Sequence, residues 1–318
     1  MNEFEIINKY LKPLSFKNPA SFKLSDDIFY DNKRGVAVSV DTYVQGVHFI
    51  SNEPKLFLKK VLRASLSDLY CKGINPKYYF LSFAVNKKQI KKPWLNDVKK
   101  ILQSEQKKFN ILLSGGDTTF SAKFVITITV LGYSKKKPVL RNGCKENDDI
   151  YVTGNIGDPY LGLKIIKKKN NFGKYNSFFK KKYHTPDLPY KISPYLNKIA
   201  SGSIDVSDGL SQDLNHLCTT SNVGAFIDIG LIPTSNSCKK LINKKKIKLK
   251  EIFSNGDDYQ ILFTSSRNNR NKIKNLSKKL NLKITKIGIT TKDKNIIFKD
   301  RGQNMTMSAT KMGYTHTF

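Results

Sequence analysis

Several aspartates in this chain recur at one local position, the polar end of an apolar run. Asp41 closes Val36 to Val40, and Asp117 follows Ile111 to Leu113 through Ser114-Gly115-Gly116. Asp205 and Asp208 flank the end of the run at Ile204, Asp257 and Asp258 stand just before Tyr259, and Asp26 and Asp27 precede Ile28. They stand out because Lys and Arg number 56 against only 25 Asp and Glu. Mg²⁺ takes oxygen ligands in octahedral geometry, keeps several waters, and is held by one or two carboxylates plus substrate phosphates. Phosphoryl transfer needs little covalent help from a protein; it needs positioning and neutralisation of phosphate charge. Aspartates on rigid strand ends, each set holding a cation, would meet that need. Asp and Gly also mark turns and helix caps. The pair Asp148-Asp149 is read that way, and Asp208 can cap the helix behind it. Asp68 is different. It sits at the edge of the apolar arc of a helix, where a partly buried carboxylate needs a partner, and a metal is one possibility.

The elements that must carry these residues are legible from periodicity. Gly35 to Val40, Tyr78 to Val85 and Phe124 to Tyr133 read as strands, and Ile111 to Leu113 as a short one running into Ser114-Gly115-Gly116-Asp117. Leu56 to Cys71 reads as a helix with Leu58, Val61, Leu62, Ser65, Leu66 and Leu69 on one arc. A second, lysine-rich helix fills Pro93 to Lys108. Ser134 to Pro138 is a polar break, and the boundary between two domains is placed there, at 1–136 and 137–318. Beyond it come strands at Ile150 to Thr153, Ile204 to Val206, Ala225 to Ile229 and Tyr259 to Thr264. Helices are expected near Pro159 and over Leu210, Leu214 and Leu217, and Lys167 to Pro189 reads as a basic, loop-prone stretch. No internal repeat is present.

Composition narrows the class. The 318 residues suffice for two domains, and a hydrophobic fraction of 39% supplies real cores. No apolar stretch is long enough to span a bilayer, and Met1 to Lys12 lacks the apolar core of a signal peptide. A soluble cytoplasmic protein is expected. Cys71, Cys144, Cys218 and Cys238 are scattered without a Cys-x-x-Cys pair, so neither a disulfide framework nor a zinc site is read. The net charge of +31 raises nucleic-acid binding as an alternative. Its lysines lie in short dispersed runs rather than interleaved with aromatics, as a base-stacking platform requires, and a solvated basic surface is the simpler account. Neither a Gly-x-x-x-x-Gly-Lys-Ser/Thr loop nor a Gly-x-Gly-x-x-Gly motif occurs. Nucleotide binding must therefore use another scaffold. Gly115-Gly116-Asp117-Thr118-Thr119 offers backbone N–H groups to phosphate.

Taken in order, the motifs are specific. Ser25-Asp26-Asp27, Val38-Ser39-Val40-Asp41-Thr42 with Gly46-Val47-His48-Phe49, and Leu66-Ser67-Asp68-Leu69 with Gly73 and Pro76 come first. Then come Gly115 to Thr119, Leu140-Arg141, Asp149 to Gly154 with Gly157-Asp158, Asp205 to Leu210 with Asp213-Leu214, Asp258-Tyr259 and Gly313-Tyr314. This series resembles the thiamine-monophosphate kinase family over nearly the whole chain. The wider superfamily includes aminoimidazole ribonucleotide synthetase and selenophosphate synthetase. The resemblance implies an α/β (α+β) two-domain aminoimidazole ribonucleotide synthetase-like fold, with a mixed-sheet N-terminal domain and a larger C-terminal one. It implies a homodimer through the N-terminal sheets, and ATP as co-substrate with several Mg²⁺ ions. Asp27, Ser39, Val40 (through its carbonyl), Asp41, Asp68, Asp117, Asp205 and Asp208 would hold the metals. Gly116, Asp117, Arg141 and Ser207 would contact ATP or its metals, with Asp117 and Arg141 the residues closest to the chemistry. His48, Asp257 and Tyr314 would border thiamine monophosphate, where a carboxylate and an aromatic suit a cationic ring. The expected reaction is direct in-line transfer of the γ-phosphate to the phosphate oxygen of thiamine monophosphate. A sister ATP-dependent synthetase is the nearest alternative.

The chain departs from the family pattern at four places. Val40 replaces a Thr and so lacks a side-chain oxygen at a metal position. Asn255-Gly256-Asp257 replaces a Gly-Gly-Glu pattern and shortens the carboxylate by one methylene. Phe120 stands where a basic residue is common, and Ser25 replaces a Gly.

Overall fold

The computed structural model describes residues 2–87, 90–300 and 303–306. The chain enters through a short helix, α1 (Glu3–Ile6), and irregular helical turns, then builds a five-stranded sheet. Its strands are β1 (Phe29–Asp31), β2 (Val36–Val44), β3 (Pro76–Val85), β4 (Leu112–Phe120) and β5 (Val125–Tyr133), in the spatial order β1-β2-β5-β3-β4. All pairings are antiparallel except β3 with β4. Helices α2 (Pro54–Cys71) and α3 (Lys92–Phe109) belong to this half. Along β5, Ile126, Ile128 and Val130 point into a core with Phe57, Leu58, Leu62 and Leu66 of α2, while the alternate residues are only half-buried. That alternation is what a sheet covered on one face produces.

A second, seven-stranded sheet follows in the order β12-β11-β8-β10-β6-β9-β7. Its strands are β6 (Asp149–Thr153), β7 (Gly202–Asp205), β8 (Gly224–Asp228), β9 (Ile261–Ser265), β10 (Ile284–Thr291), β11 (Ile296–Asp300) and β12 (Gln303–Thr306). Helices α4 (Asp158–Ile166), α5 (Asn176–His184), α6 (Ser193–Ile199), α7 (Leu210–Ser221), α8 (Asn236–Asn243), α9 (Leu249–Phe253) and α10 (Arg270–Leu280) connect them. Strands β6, β7 and β9 are buried at every position. Leu210, Leu214 and Leu217 of α7 join Ile150, Val152, Ile204 and Leu262 in the core beneath them.

α2 lies between the two halves and touches β2, β5, β7, α5 and α6. Fourteen of its residues are buried, on more than the single arc that the sequence marks. A helix buried nearly all round is wedged between layers rather than laid on one. Three other expectations change. Gly115-Gly116-Asp117 lies inside β4, not beyond it, because β4 runs on beside β3 as far as Phe120. Gly116 has φ +149, and a Cβ there would meet the Leu81 carbonyl oxygen at 1.9 Å, so the close approach requires glycine. The Lys167 to Pro189 stretch contains α5, which buries Phe179 and Tyr183. Asp208 does not cap α7; Gly209 is the N-cap, and Asp213 Oδ2 accepts from the Asp208 and Gly209 N–H groups at 3.2 and 3.1 Å. All four cysteines are buried thiols. Among the described residues no helix is long and apolar enough to cross a membrane.

Candidate active site

A cleft of about 1020 Å³ opens where the two halves meet along α2. β1 pairs with β2 only through Val38, whereas β5 pairs with β2 as far as Val44. The part of β2 from Ser39 onward therefore has one open edge, and Ser39 to Tyr43 line the cleft there. α2 supplies Lys60, Ala64 and Asp68, spaced at i, i+4 and i+8 so that one stripe of the helix faces the opening. From the second half come Arg141, Asp205 at the end of β7, Ser207 and Asp208 in the turn behind it, and Asp213 and His216 on α7.

Six of these carboxylates form one electrostatic group. Burial pushes Asp68 well above the usual carboxylate range, and the charges of Asp41, Asp205 and Asp27 add to the push. Asp205 is driven up to about 7 by burial and then by Asp27. Asp208 reaches about 7 by burial, with Asp205 and Glu3 adding repulsion. Asp41 and Asp213 are raised chiefly by burial as well. Asp27 alone runs the other way: burial raises it, but Arg141 and Lys72 outweigh burial and hold it low. Hydrogen bonds fix the set. Ser39 Oγ donates to Asp68 at 2.5 Å, Tyr43 Oη to Asp41 at 2.9 Å, and Ser67 Oγ to Asp205 at 2.7 Å. Lys72 Nζ, fully buried, pairs with Asp26 at 2.9 Å and Asp27 at 3.3 Å. The Arg141 guanidinium contacts Asp27, while its Nε–H is buried without an acceptor among the described residues.

This donor set suits a hard divalent cation, since every candidate ligand is oxygen. Crowded, buried carboxylates repel one another until a proton or a cation is added. Among the described residues no three His, Cys, Asp or Glu side chains are grouped as a ready metal cage. Mg²⁺ does not need one, because it keeps waters and shares substrate phosphates.

A second corner of the same cleft is built differently. Lys60 Nζ is buried, pairs with Asp257 Oδ1 at 2.7 Å, donates to the His48 carbonyl at 2.9 Å and lies 3.9 Å from the Tyr183 ring centroid. Tyr259 Oη donates to the same Asp257 oxygen at 3.0 Å. His48 Nδ1 accepts from the Val44 N–H at 3.0 Å, and its ring meets Tyr43 edge-on.

The structure thus brings together Asp27, Ser39, Val40, Asp41, His48, Asp68, Arg141, Asp205, Ser207, Asp208 and Asp257. It does not bring Gly116 or Asp117 to this wall. Asp117 is exposed on β4, and its register runs Asp117–Ser82–Thr127–Thr42 across four strands. At ~4.8 Å per strand it lies about 14 Å from Thr42, on the uncovered face of the sheet. Tyr314 is outside the described residues. Lys60, Lys72, Tyr183 and Tyr43 line or brace the cleft without having been singled out from sequence. Lys60 had a signal, its helical stripe with Asp68, but a lone lysine carries no weight in a chain with this many.

The fold, two mixed sheets with helices between and around them, is AIR-synthase-like. The family model "AIR synthase related protein, N-terminal domain" matches residues 21–134. A thiamine-monophosphate kinase of Buchnera aphidicola subsp. Schizaphis graminum is 36% identical, over 95% of this chain and 98% of its own. The thiamine-monophosphate kinase of Escherichia coli strain K12 is 30% identical, over 99% and 98%. The chain belongs to the thiamine-monophosphate kinase family. Among solved structures, one described as "AaThiL complexed with AMPPCP and TMP" superposes with a TM-score of 0.86 at 23% identity, over 99% of this chain and 97% of its own. The thiamine monophosphate kinase of Aquifex aeolicus superposes with a TM-score of 0.77 at 23% identity, over 93% and 99%.

Proposed function

We propose that this chain transfers the γ-phosphate of ATP to the phosphate of thiamine monophosphate, yielding ADP and thiamine diphosphate. The observation that carries this reading is the convergence of Asp27, Asp41, Asp68, Asp205 and Asp208 on one cleft of a chain that is 36% identical to a thiamine-monophosphate kinase over its length. Mg²⁺ held by these carboxylates, with Ser39 and the Val40 carbonyl, would neutralise phosphate charge. Arg141, with an unpaired N–H, offers a charge-assisted bond to a phosphate oxygen. Ser207, also in the cleft lining, would contact ATP or its metals. Arg141 and Lys72 hold the Asp27 carboxyl below the usual carboxylate range, which keeps one carboxylate ionised near neutral pH. The attacking phosphate oxygen is already anionic at neutral pH, so no residue need remove a proton.

The reading includes a homodimer. β4 is exposed along its whole length, and Val40, Phe80 and Phe120 are exposed apolar residues of the same sheet. Contact between two such sheets would cover them and bring Gly116 and Asp117 of one protomer toward the cleft of the other. Asp117 then completes a site that one chain leaves open. The domain division at 136/137 and a cytoplasmic location belong to the same reading.

Incubation with Mg²⁺, ATP and thiamine monophosphate should yield thiamine diphosphate and ADP in equal amounts by chromatography. ADP release without thiamine diphosphate, or activity only on another phosphorylated substrate, rejects it in favour of a sister synthetase. Salt-sensitive nucleic-acid binding that ignores Mg²⁺ and ATP would point to the basic surface instead.

A further inference from the structure

Lys60 is the feature of the cleft that the reading above does not use. It is a lysine with 3% exposure inside a corner meant for a cation. A buried ammonium beside a cationic ligand is repulsive unless it is already neutralised. Here it is neutralised by Asp257, and its other contacts are the His48 carbonyl and the face of Tyr183. Tyr183 Oη donates to that same carbonyl at 3.3 Å. Lys60 therefore ties together three elements: β2 and the turn after it, α5, and the loop before β9. Both bonds to Asp257, from Lys60 and from Tyr259, fall on Oδ1. Oδ2 makes no hydrogen bond among the described residues, and Asp257 lines the cleft.

We propose that Lys60 is a positioning and specificity-determining residue for the thiamine end of the substrate. It grips Oδ1 of Asp257 and the carbonyl of His48, so that Oδ2 of Asp257 is presented to the cationic ring and the corner as a whole stays neutral. Thiamine monophosphate is itself a cation joined to an anion. A neutral corner with one aimed carboxylate oxygen accepts its ring, while the carboxylate wall and its metals take the phosphate end. Without Lys60 the Asp257 carboxylate would be free to turn and to take up any small cation, and the ring would lose its aimed partner. The inference rests on the kinase reading.

The test uses the full chain and two readouts, calorimetric binding of thiamine monophosphate in Mg²⁺ with a non-hydrolysable ATP analogue, and steady-state kinetics. Lys60→Met keeps the length of the side chain and removes its charge. It should raise KM and Kd for thiamine monophosphate about tenfold, with kcat and KM for ATP within about twofold. Lys60→Arg, which can still hold Oδ1, should recover part of the loss. Because Lys60 acts through Asp257, Lys60→Met combined with Asp257→Asn should be no worse than Asp257→Asn alone. A wild-type-like KM in Lys60→Met, additive losses in the double variant, or equal damage to thiamine monophosphate and ATP affinity would each overturn the role of Lys60. If the wild-type chain neither binds nor phosphorylates thiamine monophosphate, the kinase reading falls first and takes this inference with it. Normal wild-type turnover with an unaffected Lys60→Met removes only the inference.

Discussion

The two corners of the cleft solve opposite electrostatic problems. In one, Asp41, Asp68, Asp205, Asp208 and Asp213 crowd together with too few cations, and burial and mutual repulsion raise them all. In the other, a single carboxylate meets a single buried lysine and two tyrosine hydroxyls stand nearby. The first corner is left unfinished, short of positive charge; the second is finished, its charges paired. Charge left unbalanced in a fold marks where the missing charge belongs, and charge already balanced marks where selection rests on geometry.

The contrast breaks most directly by removing one carboxylate from the unfinished corner. Asp68→Asn should lower kcat by on the order of a hundred- to a thousand-fold, because in the proposed reaction a cation held by the residue would act on charge that develops during transfer. Its melting temperature should stay level or rise, since one of several repelling groups is gone. A large drop in melting temperature would mean that Asp68 supports the fold instead. Asp117→Asn should cost turnover on the same scale, also without unfolding. If Asp117 serves the partner's cleft, mixing the two inactive variants should restore about a quarter of wild-type activity through heterodimers that keep one intact site of two. No recovery on mixing would assign Asp117 to its own protomer's cleft.

The legibility of these features in sequence follows their physics. Asp41 and Asp205 were readable because each closes an apolar run, a local pattern, but only Asp205 ends its strand: β2 continues beside β5 past Asp41 to Val44. The strands β2, β3 and β5 and the helices α2, α3 and α7 were readable from periodicity. α5 was not, because its Lys180-Lys181-Lys182 run hides the two residues, Phe179 and Tyr183, that it buries. The helices and strands after Ser265 were not singled out: in α10 only Ile273 is fully buried, and β10 alternates weakly. The role of Asp213 as acceptor for the turn before α7, in place of Asp208 as a cap, depends on Gly209 taking φ +123, which no spacing announces. The family resemblance marked Asp117 as a site residue, but its distance from the cleft depends on β4 continuing beside β3, a pairing made by residues thirty-odd positions earlier.

pH sharpens the comparison at a smaller scale. Asp205 and Asp208 titrate near 7 in the folded chain against an ordinary value of 3.8. The folded state therefore holds protons that the unfolded state releases between about pH 4 and 7, so stability falls as pH rises through that window and levels off above it. In chelator-treated protein the melting temperature should drop by several degrees, on the order of a few kcal/mol, from pH 5 to pH 8. Added Mg²⁺ should reverse the drop at pH 8 and do little at pH 5, where these carboxylates hold their protons. A flat profile with chelator, or equal Mg²⁺ stabilisation at both values, would show that the unfinished corner carries no excess charge. The finished corner should give no such signal: Asp257→Asn is expected to leave the Mg²⁺ response intact and to raise KM for thiamine monophosphate about tenfold, the loss of one modest charge contact.

The smallest effect is expected at Val40, the one residue of the proposed metal set whose side chain offers no oxygen. The residue is 59% exposed, and its side chain lies on the opposite side of β2 from Ser39 and Asp41. Only its backbone oxygen is then of use to a cation, and a carbonyl binds Mg²⁺ without carrying charge. Val40→Thr adds a hydroxyl that competes with water for the same weak position. It should lower the Mg²⁺ concentration needed for half-maximal rate by no more than about threefold, with kcat unchanged, because a neutral oxygen adds far less than a carboxylate. A tenfold or larger shift would mean that this side of β2 faces the ions directly, and would extend the unfinished corner across the strand toward Asp117.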